Sequence, residues 1–274
     1  MKAIKQAVAV LMSGMGVAGM CLAGGANSIV VDGSTTVGPI AKAFAEYYMG
    51  KHPGVNITVS ESGSGNGAKS LINAACDVAT MSRAMKNSER KGAQDAGILP
   101  IEHVVAMDGI VIIVNHANPV SQLTLEQIRD IFVGRITNWK QLGGPDQPVV
   151  AISRETNSGT YETFETMVMN KEKIGGQVEY VGSNGAIRQR VMSTASAIGY
   201  VGMAFTEGVK PVPVNGVMAT QETVLKKTYP IARPLYMYTN GRPQEGTPLA
   251  DFVNLSRTPE GMRIVEEVGF VPMK

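Results

Sequence analysis

The chain has 274 residues, of which 44% are hydrophobic and 18% charged, and its formal net charge is +2. These values are typical of an ordinary globular protein, and the length favours two domains. The small net charge excludes the basic excess that a nucleic-acid surface requires, so we expect no nucleic-acid partner.

The first residues have the pattern of a secretory signal peptide. Lys2 and Lys5 give a basic start, and residues 7–23 are apolar and uncharged. With the small residues that follow, this predicts a leader over residues 1–23, with cleavage as late as residue 26. The apolar run is short and rich in glycine for a membrane-spanning helix. The sequence therefore predicts export of the mature chain.

Cysteine and histidine usage argues against a metal site or a reactive nucleophile. Only Cys76 would remain after cleavage, and its apolar neighbours predict a buried structural thiol. His52, His103 and His116 lie in predicted turns or beside strands, without the spacing of metal ligands. We therefore expect no metal, no cofactor and no enzymatic activity.

The predicted elements begin with a strand, a turn and a helix, and this order recurs. Residues 28–31 predict a strand, and apolar residues at helical spacing predict a helix that contains Pro39 and stops at Gly50. Alternating apolar residues over 55–59 predict a second strand, which leads into the glycine- and serine-rich turn at 63–67 and another helix.

A third turn of this kind opens the helix that follows the apolar run ending at Ile152. The first turn of a helix has unpaired backbone N–H groups and partial positive charge, and Gly159 lets a ligand approach them closely. Arg154 can place a permanent cation beside these groups. Capping of the helix by Ser158 or Thr160 is the ordinary alternative, and it is the commoner use of such residues.

The turns at 33–36, 63–67 and 158–160 all follow predicted strands. In open α/β sheets, ligands bind beyond the carboxyl ends of the strands, where several helix N-termini can converge on one anion. Together with Arg154, the three turns predict an α/β fold with a pocket for a small oxyanion.

Residues 104–114 form a nearly continuous apolar strand region, and we expect Asp108 and Gly109 to interrupt it. A buried carboxylate is costly unless it is paired or protonated. We therefore expect Asp108 to accept a proton from the ligand or to pair with an arginine such as Arg83.

The remaining elements are predicted in chain order. Thr124 and Gln127 have the spacing of a capping box, which predicts a helix over 125–132 that Gly134 ends. Further predictions are a helix at 86–94, strands at 178–181, 197–202 and 235–238, a helix through 187–191, and a helical last stretch over 249–268.

These residues resemble the periplasmic substrate-binding proteins of the phosphate-specific ABC transporter, in the shorter branch of that family. The resemblance runs through residues 32–36, 63–67, 81–83, 108–110, 125–139, 153–160 and 197–202 in that order. It implies two α/β lobes of the type II periplasmic binding protein class, joined by two crossing hinge strands near Val114 and Tyr236. Lobe I would hold residues 27–114 and 236–274, and lobe II residues 115–235.

The resemblance also implies the site, because the family holds phosphate with hydroxyls, helix N-terminal amides and arginine. Carried over position by position, it implicates Thr35, Thr36, Ser64, Ser82, Arg83, Arg154, Ser158, Gly159 and Thr160. The longer relatives have an aspartate where this chain has Ser82, and that acid accepts the proton of hydrogen phosphate. Our hypothesis is that Asp108 is the acceptor here.

The function implied is that of a monomeric, non-catalytic periplasmic protein that captures inorganic phosphate and delivers it to the membrane subunits of an ABC permease. One alternative is a sensor or surface protein with the same site. Another is an exported phosphoester hydrolase, although no Gly-x-Ser-x-Gly elbow is present. A third is a nucleotide hydrolase, because residues 63–70 come one residue from a phosphate-binding loop; Ala68 replaces its final glycine.

Overall fold

The structure, a computed structural model, describes residues 27–273, so the predicted signal peptide lies outside the described residues. Within this range the strands are β1 (Ser28–Gly33), β2 (Asn56–Val59), β3 (Val78–Met81), β4 (Pro100–Val114), β5 (Val150–Arg154), β6 (Glu179–Val181), β7 (Ala197–Gly202), β8 (Lys210–Val212) and β9 (Ala232–Asn240). The α-helices are α1 (Gly38–Lys51), α2 (Ser64–Ile72), α3 (Asn87–Asp95), α4 (Leu125–Val133), α5 (Gly159–Met167), α6 (Asn184–Met192), α7 (Gln221–Leu225), α8 (Pro248–Asn254) and α9 (Pro259–Glu267).

The strands form one path in the order β2-β1-β3-β9-β4-β7-β5-β6, with β8 also paired to β4. Strand β1 is parallel to β2 and β3, and β5 is parallel to β6 and β7. Strands β4 and β9 join these two parallel groups through antiparallel pairings. The predicted α/β class is confirmed, with parallel units on either side of an antiparallel centre.

Strand β4 lies in the middle of this path and contributes to both halves of the molecule. From Pro100 to Gly109 it pairs with β9, and from Ile110 to Val114 it pairs with β7. We call β1 to β3, β9, β4 up to Gly109 and their helices the first half of the molecule. The second half comprises the rest of β4, β5 to β8 and helices α4 to α7. The lobe limits given above stay a prediction.

Each half has its own apolar core. In the first half, Phe44 of α1, Leu235 of β9 and Phe252 of α8 are fully buried in one cluster. In the second half, Trp139 and Phe164 are fully buried in another. Burial of apolar side chains on both sides of one strand explains why β4 is an almost continuous apolar run.

Several predicted elements are confirmed and one prediction is wrong. Helix α4 has the predicted capping box, and Gly134 ends it in the left-handed conformation. The predicted interruption at Asp108 is wrong, because Asp108 and Gly109 pair regularly with β9. The last stretch is helical as predicted, but Thr258 is extended and separates it into two parts, as the residue before a proline avoids helical backbone angles.

Cys76 is buried, as predicted, and burial raises the pKa of its thiol to about 12, with Asp32 and Asp77 adding to the shift. Such a thiol is a structural group and has little thiolate at neutral pH. Over residues 27–273, none of the helices combines the length and the apolar character needed to cross a membrane.

Candidate functional site

The three predicted turns meet where the two halves of the molecule touch. The hydroxyl oxygen of Thr36, between β1 and α1, lies 2.9 Å from that of Thr160 in the first turn of α5. Gly159 faces the first half so closely that an added Cβ would lie 2.5 Å from Ser64 Oγ and 2.7 Å from Ser82 Oγ. Glycine at this position therefore allows the start of α5 to approach the other two turns.

Ser64 and Ser82 form the second corner of the site. The hydroxyl of Ser64, the first residue of α2, accepts a hydrogen bond of 3.0 Å from the backbone N–H of Ser82 and lies 3.4 Å from its hydroxyl. Gly63 precedes this helix with φ at 98°, a backbone angle that favours glycine. Both serine hydroxyls are buried.

Ser158 caps α5, which is the ordinary alternative considered for this turn. Its hydroxyl oxygen accepts hydrogen bonds from the backbone N–H groups of Thr160 at 3.2 Å and Tyr161 at 3.3 Å. The hydroxyl proton is not used in these bonds, because the oxygen is the acceptor in both. A capping role and a ligand-binding role for Ser158 are therefore compatible.

Arg154 ends β5 and is 1% exposed. Its Nη2 donates a hydrogen bond of 2.7 Å to the carbonyl of Gly182, whereas its Nε and Nη1 are buried and have no hydrogen-bond partner among residues 27–273. Burial lowers the pKa of Arg154 to about 10, and the nearby positive charge of Arg233 acts in the same direction. The guanidinium is therefore charged at neutral pH, with two donors free.

Aromatic packing fixes the backbone that carries Arg154. The phenol oxygen of Tyr200, in β7, accepts a hydrogen bond of 3.2 Å from Arg154 N and lies 2.7 Å from Ser153 Oγ. The Tyr200 ring stacks on Phe164 with centroids 3.9 Å apart. These contacts hold the end of β5 next to the start of α5, whose Phe164 is part of the same core.

Asp108 pairs with Arg233 and not with Arg83, which corrects the example partner considered above. Arg233 donates two hydrogen bonds to Asp108 Oδ2, and the backbone N–H of Met203 donates one of 3.0 Å to Oδ1. Burial raises the pKa of Asp108, and the charge of Arg233 opposes that shift. Arg233 also donates to the carbonyl of Ser82 and to the hydroxyl of Thr160, both at 3.0 Å.

The structure places the guanidinium of Arg83 between two carboxylates. Its Nη1 and Nη2 donate to Glu89 at 2.8 and 2.7 Å, and its Nε lies 2.6 Å from Glu162 Oε2 in an ion pair without hydrogen-bond alignment. Burial lowers the pKa of Arg83, but the carboxylates outweigh it and the net shift is upward. Arg83 is thus bound by acids, and its predicted contact with an anion stays a prediction.

Two residues of the site were missed in the sequence. Asn184, the first residue of α6, donates to the hydroxyls of Thr35 at 3.3 Å and Thr36 at 3.0 Å, and accepts a bond from Gly202 N. Its turn follows a predicted strand and precedes a predicted helix, so the recurring order of elements offered a signal. The sequence around Arg233 contains no motif that indicates a binding site. The one indication was that a buried Asp108 needs a cation as its partner.

The buried charges of the site do not cancel. Among residues 27–273, the buried charged groups of this cluster are the cations Arg154 and Arg233 and the acid Asp108, so their formal charges sum to one positive charge. An isolated buried charge is unfavourable, so a bound anion would stabilise the arrangement. Among the residues that the structure describes, no group of histidine, cysteine and acidic side chains could hold a metal ion.

The chain is similar to known proteins over most of its length. A family profile described as a PBP superfamily domain matches residues 22–254. Protein SphX of Synechococcus elongatus is 34% identical over 89% of this chain and 77% of its own length. Phosphate-binding protein PstS of Staphylococcus saprophyticus is 32% identical over 91% of this chain and 81% of its own.

Solved structures agree with these relatives. A phosphate ABC transporter substrate-binding protein from Clostridium perfringens, with bound phosphate, is 36% identical, has a TM-score of 0.82, and is matched over 90% of this chain and 100% of its own. An ABC-type phosphate transport receptor from Vibrio cholerae is 29% identical with a TM-score of 0.71, matched over 89% of this chain and 100% of its own. The predicted two-lobed architecture of periplasmic binding proteins is confirmed. The chain belongs to the PBP superfamily and, within it, to the phosphate ABC transporter substrate-binding proteins.

Proposed function

We propose that this protein binds inorganic phosphate between its two halves and delivers it to the membrane subunits of an ABC permease. The observation that carries the proposal is the buried guanidinium of Arg154, whose Nε and Nη1 have no partner in the described part of the chain. Nε and Nη1 can each donate charge-assisted hydrogen bonds to the oxygens of an oxyanion.

Hydroxyl and amide groups gather at the junction of the two halves, where Arg233, whose charge acts on Arg154, contacts Ser82 and Thr160. The proposed donors are the hydroxyls of Thr35, Thr36, Ser64, Ser82, Ser158 and Thr160, the backbone at Gly159, and the side chains of Arg154, Arg233 and Asn184. The N-terminus of α5 adds partial positive charge where anions commonly bind. We leave Arg83 outside this set, because Glu89 and Glu162 already compensate its charge.

Asp108 remains our proposal for the group that accepts the proton of hydrogen phosphate. It is fully buried, and its Oδ1 receives a hydrogen bond from Met203 N. A carboxylate offers about four acceptor positions, so Asp108 can take a further proton donor beside Arg233. Sulfate has no proton to donate at neutral pH, and a buried acceptor facing it would be repulsive.

The relatives support a transport function without catalysis. The matched proteins from Staphylococcus and Clostridium are described as phosphate-binding or as transporter substrate-binding proteins. We extend that description to this chain, and we further propose that it acts as a monomer in the periplasm after removal of a signal peptide. A sensor with the same site is the remaining alternative, and loss of phosphate uptake on gene deletion would decide against it.

Calorimetric titration of the purified mature protein tests the proposal. We expect saturable binding of phosphate, weaker or absent binding of sulfate and molybdate, and no release of phosphate from phosphoesters. Arg154→Ala should abolish most of the phosphate affinity, whereas Arg263→Ala, which removes a half-exposed surface arginine, should leave it unchanged. Wild-type protein that ignores phosphate under these conditions would refute the proposal.

A further inference from the structure

An ion-pair cluster bridges the two halves of the molecule beside the proposed phosphate site. Glu162 lies in the first turn of α5, in the second half. Arg83 and Lys86 lie between β3 and α3, in the first half. The Oε2 atom of Glu162 is 2.6 Å from Arg83 Nε and 2.7 Å from Lys86 Nζ. One carboxylate of the second half therefore contacts two cations of the first.

The core of this cluster is shielded from water. The side chains of Arg83 and Glu162 are 9% and 12% exposed, whereas Lys86 is 50% exposed at the rim. Exposed ion pairs contribute little to stability, because water and salt screen them. A pair held out of water interacts more strongly, and separation of its partners leaves buried charge uncompensated.

Arg83 is held in place from its own half. Glu89 accepts hydrogen bonds from both terminal nitrogens of Arg83, and the same carboxylate accepts one of 2.8 Å from the backbone N–H of Lys86. The bidentate contact fixes the plane of the guanidinium. Nε of this fixed guanidinium lies 2.6 Å from Oε2 of Glu162 in the other half, so the ion pair forms only when the two halves are in contact.

The cluster is close to the site in sequence but uses different groups. Glu162 lies two residues after Thr160 in α5, and Arg83 directly follows Ser82. A negative carboxylate this close to a bound anion would repel it unless cations compensate the charge. Arg83 and Lys86 supply that compensation, so the cluster can hold the halves together without opposing phosphate.

We propose that Glu162 is a positioning residue whose ion pairs with Arg83 and Lys86 hold the two halves closed and slow the release of the bound anion. The proposal rests on the proposed phosphate-binding function, and it assigns a role to a residue that does not touch the ligand. It also gives Arg83 a task other than direct anion binding.

Arg83 could hold the halves closed through Glu162 or could bind the anion directly. Glu162→Gln distinguishes these two roles, because they predict opposite changes in phosphate affinity. We call the ion pairs of Glu162 with Arg83 and Lys86 the latch. If the latch holds the halves closed, the variant should release phosphate about tenfold faster in stopped-flow measurements, with little change in the association rate. If Arg83 were an anion ligand that Glu162 restrains, loss of the carboxylate would free it and phosphate affinity would rise. A rise in affinity would therefore overturn the proposal.

Two comparisons exclude a general effect of removing an acid. Glu165→Gln changes a neighbouring carboxylate on the same helix that contacts Tyr161 within its own half, and it should leave release unchanged. Higher salt should speed release from the wild type more than from Glu162→Gln, because salt screens the ion pair that the variant lacks. A merely structural role of Glu162 would not produce this difference.

A distance measurement tests the latch without phosphate. Spin labels on cysteines introduced at the exposed positions Lys51 and Lys140, one in each half, report the separation of the halves in the ligand-free protein. We expect Glu162→Gln to shift the distances to longer values. Unchanged distances and unchanged release would overturn the latch and leave phosphate binding intact. If wild-type protein bound no phosphate, the proposed function would fail, and the distances alone would decide on the latch.

Discussion

Asp108 and Arg233 stand opposite each other in the antiparallel pairing of β4 and β9, and Arg233 donates hydrogen bonds of 2.9 and 3.1 Å to Oδ2 of Asp108. Directly opposite residues place their side chains on the same face of a sheet, so the strand register itself builds this ion pair. From there Arg233 reaches Ser82 and Thr160. The pair thus connects the sheet to turns from both halves of the molecule.

Removal of Arg233 should destabilise the protein strongly. Arg233→Met leaves the fully buried Asp108 without its cation, and breaking a buried pair in this way costs about 3–5 kcal/mol. Urea unfolding without phosphate measures the loss. The double variant Asp108→Asn/Arg233→Met should recover a large part of it, because no buried charge of the pair remains. A double variant less stable than Arg233→Met would contradict this explanation.

The loss of stability caused by Arg233→Met should also depend on pH. Burial raises the pKa of Asp108, and Arg233 is the main group that opposes this shift, so the folded-state pKa rises further in the variant. A carboxyl with a raised folded-state pKa binds its proton more readily in the folded protein, and stability then increases as pH falls through that pKa. The stability gap to wild type should therefore narrow on acidification from neutral pH. A gap independent of pH would argue against an ionised Asp108.

Arg154 should contribute more phosphate affinity than any single hydroxyl. Hydrogen bonds to a charged group contribute about 1.5–3 kcal/mol each, and 1.4 kcal/mol is a factor of ten in affinity. Arg154 can donate from two nitrogens and carries a full positive charge, whereas a hydroxyl donates one bond, so we expect Arg154→Ala to weaken binding by about 100-fold or more and Ser64→Ala by about tenfold. Calorimetry measures both variants. Equal losses would contradict this ranking.

The stability of an Arg154 variant distinguishes a ligand-binding role from a structural one. In the ligand-free protein, Nε and Nη1 of Arg154 have no partner among the described residues. Arg154→Met keeps most of the volume and removes an uncompensated buried charge. Its free energy of unfolding without phosphate should equal or exceed that of wild type, whereas phosphate should stabilise wild type alone.

Gly159 should tolerate no side chain in the closed arrangement. A methyl group there would lie 2.5 Å from Ser64 Oγ and 2.7 Å from Ser82 Oγ, so Gly159→Ala forces the turns of the two halves apart. We expect a loss of phosphate affinity of about 10- to 100-fold, which corresponds to the usual strain of overpacking, about 1–3 kcal/mol. Gly50→Ala is the control, because nothing lies within 4 Å of a Cβ at that helical position. Unchanged affinity in Gly159→Ala would show that this contact is not needed.

Asp108→Asn tests the proton acceptor. The amide keeps an oxygen for Arg233 but replaces a carboxylate oxygen with an N–H₂ group, which cannot accept a proton from hydrogen phosphate. Phosphate binding should weaken relative to sulfate, measured by competition calorimetry with both anions. Selectivity equal to that of wild type would remove Asp108 from this role.

The turns of the site could be predicted because their signals are local. Glycine and hydroxyl residues between a strand and a helix mark the start of the helix. In an α/β fold such turns lie at the carboxyl ends of the strands, so three of them are expected at the same edge of the sheet. Thr36, Ser64 and Thr160 do lie together at the junction of the halves. Two short elements, β8 and α7, escaped prediction, because their three and five residues show no clear period.

Partner choice could not be predicted, because it depends on strand order. Arg83 and Arg233 are equal candidates for Asp108 in the sequence. The register of β4 with β9 places Arg233 opposite Asp108, while the turn after β3 directs Arg83 to Glu89. Neither arrangement has a signature within a short window of residues, so the sequence could require a cation for Asp108 but not identify it.

The pairing of β3 with β9 makes the first half of the molecule depend on residues that are far apart in the sequence. Val78 of β3 pairs with Thr239 of β9, so β3 keeps an open edge until β9 is available. Phe252 and Val265, in helices that follow β9, belong to the same core as Phe44 of α1. Contacts between such distant residues form slowly, because a long loop must close first. The core of the first half therefore cannot be completed before α8 and α9 have joined it.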